Sequence, residues 1–389
     1  MRVADRLLNL PTYVFADAGR TLADLRARGV DVINLGIGSP DLAPPAFIID
    51  SLHASSRASD KHGYAGYNGI PALRTEVAHY YQRRFGVHLD PEREVVILLG
   101  SKEGIFNASL AFVDPGDVAL VPDPGYPTYA MGALVAGGRP VYLPLGADRG
   151  FLPSLEAVSQ EDLRAAKVLW LNYPNNPTGA TASRAFLAQA VAFAKEYDLL
   201  ICYDNPYCDV TFDGYRAPSI LEIPGAKGVA LEFNSLSKTY NMAGWRIGMA
   251  VGNATAVEAL ARVKTNIDSG AFIPIQEAAA QALRGDQSWL AERNAIYQAR
   301  RDAVLGFLPA LGMQAERPQA TLYVWAQVPT GETSVAFSRR VLEATGVWLT
   351  PGTAFGPHGE GYVRISICMP EERLREAGDR LRRLLCPRT

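Results

Sequence analysis

From residue 95 to about residue 252, short and almost wholly apolar runs alternate with stretches of helical spacing, and nothing else in the chain narrows its fold as far. The runs are Val95–Leu99, Val118–Val121, Pro140–Pro144, Val168–Asn172, Leu199–Tyr203, Val229–Phe233 and Ile247–Val251. Between them lie segments such as Arg184–Tyr197, where Phe186, Leu187, Ala190, Val191 and Ala194 share one helix face. A strand apolar on both sides must be covered on both faces, and a helix between successive strands lets them run in the same direction. The middle of the chain is therefore predicted to be a doubly wound α/β unit on a mostly parallel seven-stranded sheet.

After about residue 270 the texture changes to helical patterns, two strand candidates at Leu322–Val328 and Tyr362–Cys368, and a last helix at Glu371–Leu385. That helix carries Leu374, Ala377, Leu381, Leu384 and Leu385 on one stripe. A chain of 389 residues exceeds one small core, so two domains are expected. The predicted division is a large domain over 42–270 and a smaller α+β domain formed by 1–41 together with 271–389.

Hydrophobic residues make up 48% and charged residues 20%, values of an ordinary globular protein rather than a disordered one. The net charge of −2 gives no electrostatic case for nucleic acid or an anionic membrane as partner. The opening MRVADRLLNLP has charges and a proline where a signal peptide needs an apolar core, and no apolar run reaches the ~18 residues of a spanning helix. A cytoplasmic location is expected. Neither Cys202, Cys208, Cys368 and Cys386 nor the histidines show metal-ligand spacing, so no metal is expected.

In an open α/β sheet, ligands bind beyond the carboxyl ends of the strands, and those ends carry this chain's chemistry. The first gives Gly100-Ser101-Lys102-Glu103-Gly104 before a helical pattern, so free N–H groups at the helix start favour a phosphate. Others give Asp123-Pro124-Gly125-Tyr126-Pro127, Asn175-Asn176-Pro177-Thr178-Gly179 and Asp204-Asn205-Pro206-Tyr207. The last gives Asn234-Ser235-Leu236-Ser237-Lys238, with Arg246 eight residues beyond the lysine. Each turn alone is more often structural, and Asp204 alone reads equally well as a helix cap. Together, five strand ends supply a phosphate nest, an aromatic ring, an amide, a carboxylate and a lysine suited to condensation with an aldehyde. One molecule of pyridoxal 5′-phosphate requires that set. Gly36-Ile37-Gly38 is no dinucleotide fingerprint, because it lacks the third glycine and precedes the sheet.

Ser235-Leu236-Ser237-Lys238 with Arg246, Asn176-Pro177-Thr178-Gly179, and Asp204-x-x-Tyr207 resemble the class I aminotransferases, fold-type I pyridoxal-phosphate enzymes, nearly end to end. The resemblance implies that Lys238 joins the cofactor and later moves the substrate proton, and that Asp204 pairs with the ring nitrogen. It implies that Asn176 and Tyr207 hold the ring oxygen and that Tyr126 stacks on the ring. Ser101, Lys102, Ser235, Ser237 and Arg246 would hold the phosphate, with Tyr64 reaching in from the second subunit of a homodimer whose sites lie at the interface. Arg364 would grip the substrate α-carboxylate, and Gly38 would let the backbone approach it.

A finer resemblance, carried by Gly100–Ile105, Ser235–Arg246 and Asn266–Gly270, is to the LL-diaminopimelate aminotransferases. Tyr13 matches a substrate-contacting tyrosine of that group, and Lys102 a lysine that meets the far end of a long dicarboxylic substrate. The chain departs from that group's better-studied branch at Tyr67 and Ser269. The activity implied is amino transfer between LL-diaminopimelate and 2-oxoglutarate in lysine biosynthesis. The alternatives are aspartate, alanine, methionine or aromatic amino acids as donors, or a β-eliminating lyase on the same fold.

Overall fold

A computed structural model describes residues 1–8, 10–11 and 14–385 of the chain. Tyr13 and Cys386 lie outside the described residues.

After a two-residue strand, β1 (Ile33–Asn34), come β2 (Val95–Leu98), β3 (Val118–Asp123), β4 (Arg139–Pro144), β5 (Ala166–Asn172), β6 (Leu200–Asp204), β7 (Ala230–Ser235) and β8 (Gly248–Gly252). The last seven form one sheet in the order β2-β8-β7-β6-β5-β3-β4. Each coincides with one of the apolar runs. The pairs β4–β3, β3–β5, β5–β6 and β6–β7 are parallel, and β8 runs antiparallel to both its neighbours. Side chains alternate along each strand and so build two cores. Val118, Leu120, Leu169, Leu171, Ile201 and Tyr203 face the helices Pro71–Phe85, Arg184–Glu196 and Ile273–Arg284. Val121, Val168, Trp170, Cys202, Leu231 and Phe233 face the helices Ser101–Phe112, Thr128–Ala136 and Ala254–Lys264. Double coverage fails at the edge strand β4, where Arg139, Tyr142 and Pro144 are exposed. A proline, having no N–H to donate, is tolerated at such an edge.

The remaining strands are β9 (Gln314–Ala315), β10 (Tyr323–Gln327), β11 (Val347–Trp348), β12 (Thr350–Pro351) and β13 (Tyr362–Ser366). They include a second, antiparallel sheet in the order β12-β13-β10-β9. The two strands expected from the sequence here are β10 and β13; the others are too short to show a period. β1 pairs in parallel with β11 through Ile33–Val347 and Asn34–Trp348, which brings the N-terminal segment to this second layer. The helices Trp289–Phe307 and Glu371–Leu385 cover the sheet, burying Tyr297, Val304, Phe307, Leu374, Ala377 and Leu381 in one cluster. Among the described residues no helix is long and apolar enough to cross a membrane.

Strand placement fixes where a ligand can lie. The chain adds β4 on one side of β3 and then β5 on the other. A crevice opens at the carboxyl ends where the winding reverses.

Candidate active site

A cavity of about 330 Å³ occupies that crevice, walled by both sheets. Of the residues singled out from the sequence, it brings together Gly38, Ser101, Lys102, Tyr126, Asn176, Asp204, Tyr207, Ser235, Ser237, Lys238, Arg246 and Arg364. Tyr64 is not among them: its side chain is 91% exposed at the surface. The cavity adds Tyr129, Asn172 and Tyr323, which the sequence reading missed. Tyr129 follows Tyr126 by one helical turn, the only local signal that marks it.

Two buried carboxylates on adjacent strands show which one is built for a ligand. Glu232 on β7 is fully buried, and burial pushes its carboxyl up to about 7. Both its oxygens are satisfied: Oε1 accepts from Tyr81 Oη at 3.0 Å and Asn205 Nδ2 at 3.2 Å, and Oε2 from Ser219 Oγ at 2.5 Å and the Ile220 N–H at 3.0 Å. Asp204, last in β6, is 4% exposed and is likewise raised to about 7 by burial, against the pull of Tyr129 Oη, which donates to Oδ2 at 2.7 Å. Its Oδ1 is buried and meets no donor among the described residues. An unsatisfied carboxylate oxygen in a low-dielectric site is costly and calls for a donor, best a cationic one. No helix follows Asp204, so capping does not explain it. A protonated ring nitrogen supplies the missing donor, and the residues present therefore fit pyridoxal phosphate. Tyr129 is itself held against Trp170, stacked at 4.9 Å between ring centroids.

Lys238 rises from a single helical turn, Leu236–Thr239, capped by Ser235, whose Oγ accepts from the Ser237 N–H at 3.2 Å. Its Nζ donates to the Gly38 carbonyl at 2.6 Å, across the cavity from its own strand. Arg246 has a left-handed φ of 56° and lines the cavity, donating to the Ala243 carbonyl at 2.9 Å and the Leu99 carbonyl at 3.1 Å. Gly100 precedes the helix Ser101–Phe112 with φ of 83°. A Cβ there would meet Arg246 Nη2 at 2.3 Å. Lack of a side chain thus lets the guanidinium lie against the helix start, where Ser101, Ser235 and Ser237 add hydroxyls. Amides, hydroxyls and a fixed cation make a dianion site.

From the second sheet, Arg364 on β13 also lines the cavity and is 3% exposed. It donates from Nη1 to Asn176 Oδ1 at 2.8 Å and from Nη2 to the Gly36 carbonyl at 2.5 Å. Its guanidinium lies over the rings of Tyr323 at 4.2 Å and Phe355 at 4.6 Å. Tyr323 Oη in turn meets Tyr207 Oη at 3.0 Å. A Cβ on Gly38 would come within 2.0 Å of that Tyr323 hydroxyl, so glycine is required for the backbone to pass there. Lys102 Nζ stands 6.0 Å from the centre of the Tyr126 ring, at the rim.

Comparisons with known proteins agree with this chemistry. The family described as aminotransferase class I and II matches residues 30–381. A protein named LL-diaminopimelate aminotransferase from Moorella thermoacetica is 52% identical over 385 residues, 99% of each chain. One of the same name from Desulforudis audaxviator is 54% identical over 379 residues, 97% of each chain. The substrate-bound structure of BacF from Bacillus subtilis superposes with a TM-score of 0.95 at 39% identity, covering 100% of this chain and 99% of the other.

Proposed function

The chain belongs to the class I and II aminotransferases, a pyridoxal-phosphate-dependent family, and we propose that it moves an amino group between LL-diaminopimelate and 2-oxoglutarate. The observation that carries the site assignment is Asp204 Oδ1, buried and without a donor among the described residues, in a cavity that also holds Lys238 and Arg246. When bound, the cofactor supplies an aldehyde and an electron-withdrawing ring. Lys238 would hold the cofactor through its amine, and the same amine would take the substrate α-proton and return it. Asp204 keeps the ring nitrogen protonated, with Tyr129 orienting its other oxygen. Asn176 and Tyr207 would hold the ring oxygen, and Tyr126 would cover the ring face. Ser101, Lys102, Ser235, Ser237 and Arg246 take the phosphate. Arg364 presents a planar fork to the substrate α-carboxylate beside Gly38.

The substrate reading rests on the names of the two relatives and on Lys102, a cation at the rim suited to a second, distant carboxylate. The site is proposed to be completed in a homodimer, in which Tyr64, exposed in the single chain, reaches the partner's phosphate. The same proposal divides the chain into 42–270 and 1–41 with 271–389, supported by the β1–β11 pairing. The test is kcat/KM for LL-diaminopimelate, aspartate, alanine, methionine and an aromatic amino acid against 2-oxoglutarate, with the pyridoxal absorbance followed on each donor. LL-diaminopimelate is expected to lead. Turnover of alanine or an aromatic donor with diaminopimelate ignored would discard the substrate assignment, and release of pyruvate and ammonia from cysteine conjugates would favour a lyase.

A further inference from the structure

One buried cation lies outside the cavity and has no place in the chemistry above. Arg293, in the first half of the helix Trp289–Phe307, is 3% exposed. Among the described residues no carboxylate pairs with it; burial accordingly holds its guanidinium below the usual arginine value. Its donors go instead to backbone carbonyls and to the neighbouring amide of Asn294. Nη1 donates to the Lys238 carbonyl at 2.8 Å and also to the Thr239 carbonyl, and Nη2 donates to the Asp209 carbonyl at 2.7 Å. The side-chain oxygen of Asn294 accepts from Nε at 3.1 Å and Nη2 at 2.8 Å, while its Nδ2 donates to the same Asp209 carbonyl at 3.0 Å.

Carbonyls at the end of a one-turn helix have no partner within the helix. Here those carbonyls belong to Lys238 itself and to the next residue. A charged donor bonds a carbonyl more strongly than a neutral one, and the planar fork fixes direction as well as distance. The third carbonyl lies two residues beyond Tyr207, so one guanidinium ties the backbone of the reactive lysine to the backbone that carries the ring-holding tyrosine. The helix bearing Arg293 is anchored further along, where Tyr297, Val304 and Phe307 pack under the second sheet. Burying a guanidinium without an ion pair is costly, which argues against a role as mere filler.

We propose that Arg293 is a positioning residue for Lys238, holding the backbone of the lysine so that Nζ reaches the cofactor carbon. The proposal rests on Lys238 being the cofactor lysine. Loss of this hold displaces the amine without touching Arg246, Ser235 or Arg364, so covalent capture should suffer while cofactor retention and donor KM do not. Misplacement of a reacting group by about an ångström costs on the order of a hundredfold.

The experiment mixes cofactor-free protein with pyridoxal phosphate and follows the lysine-linked absorbance by stopped flow. Retention of the cofactor on ultrafiltration, donor KM and thermal midpoint are measured alongside. Arg293→Met is expected to slow appearance of the absorbance by about ten- to a hundredfold, with retention and KM within about threefold of wild type. Arg293→Lys should lie between, because an ammonium cannot span the carbonyls of Lys238 and Asp209 together. Should the Met variant not fold, the Lys variant decides alone: slowing of about threefold or more supports the proposal, and a wild-type rate overturns it. A folded Met variant with a wild-type rate overturns it as well. Wild-type protein that shows no lysine-linked absorbance would instead overturn the functional reading, and this proposal with it.

Discussion

Asp204 and Glu232 are both carboxylates pushed up to about 7 by burial, one strand apart, and they differ in what their oxygens touch. Among the described residues, four donors converge on the Glu232 carboxylate, whereas a single tyrosine reaches that of Asp204. Burial and an elevated proton affinity therefore do not separate the two; the unmatched oxygen of Asp204, facing a cavity, does. The difference has a consequence for stability. A carboxyl with a folded value near 7 and an ordinary value of 3.8 contributes stability that is full below the ordinary value and lost as pH rises through 7. In Asp204→Asn that dependence disappears, while the amide oxygen still accepts from Tyr129. Thermal midpoints of cofactor-free wild type and Asp204→Asn at pH 5 and pH 8 should show the variant gaining on wild type at the higher pH. A gap that does not change with pH would mean that the carboxylate is satisfied in the absence of cofactor. In the holoenzyme the order reverses: breaking a buried ion pair costs ~3–5 kcal/mol, and the half-reaction should slow by about two to three and a half powers of ten.

Single elements act through their ends. The helix Ser101–Phe112 offers its first N–H groups to the cavity only because Gly100 takes a left-handed φ of 83° and leaves room for Arg246. Both properties vanish in Gly100→Ala. Its methyl group would strain the backbone and meet Nη2 at 2.3 Å, so the guanidinium must leave the Leu99 carbonyl. Expected is weaker retention of pyridoxal phosphate by about ten- to a hundredfold, the loss of one or two charge-assisted contacts, read as free cofactor after dialysis. Pyridoxal lacking the phosphate should be bound equally by wild type and variant. Weakening of both ligands alike would place the damage elsewhere in the fold. The turn Leu236–Thr239 makes the complementary point at a carboxyl end, where its last carbonyls are held by a helix that begins fifty residues later in the chain, at Trp289.

At the scale of the molecule, the proposed active site is the seam between two sheets. Arg364 stands on the second sheet, bonds Asn176 from the first, and holds the Gly36 carbonyl of the N-terminal segment. Replacing it with lysine keeps the charge and loses the fork. KM should rise by about ten- to a hundredfold for every amino donor alike, since all share the α-carboxylate. A penalty confined to long donors would move Arg364 to the distal end of the substrate. The proposed dimer gives a test that no single chain can pass. Tyr64→Ala is expected to impair a neighbour's site, and Lys238→Ala its own. Mixing the two variants under subunit exchange should raise activity above that of either component, because a hybrid has one site with both residues intact. Mixtures no more active than their components would show that Tyr64 serves no partner.

The amino-acid sequence by itself determined the seven strands of the large sheet, the two longest strands of the second sheet, and which strand ends carry polar and ionisable groups. These properties are local: an apolar run of about four to seven residues bounded by turn formers, repeated between stretches of helical spacing, is a strand signal read from neighbouring residues alone. The Ser235–Lys238 run and Asp204-x-x-Tyr207 are legible for the same reason, since adjacent residues impose their own spacing. Tertiary structure alone decided what those groups meet. Tyr129 reaches Asp204 across 75 residues of chain, Arg364 reaches Gly36 across 328, and Arg293 reaches Lys238 across 55. It also decided that the two-residue strands β1 and β11 exist, because each is too short to persist except against the other. Even the contrast between Asp204 and Glu232 is invisible in the chain, where both are single acids in apolar strands. Whether a buried oxygen is satisfied depends on donors brought from elsewhere by packing, and no local pattern records their arrival.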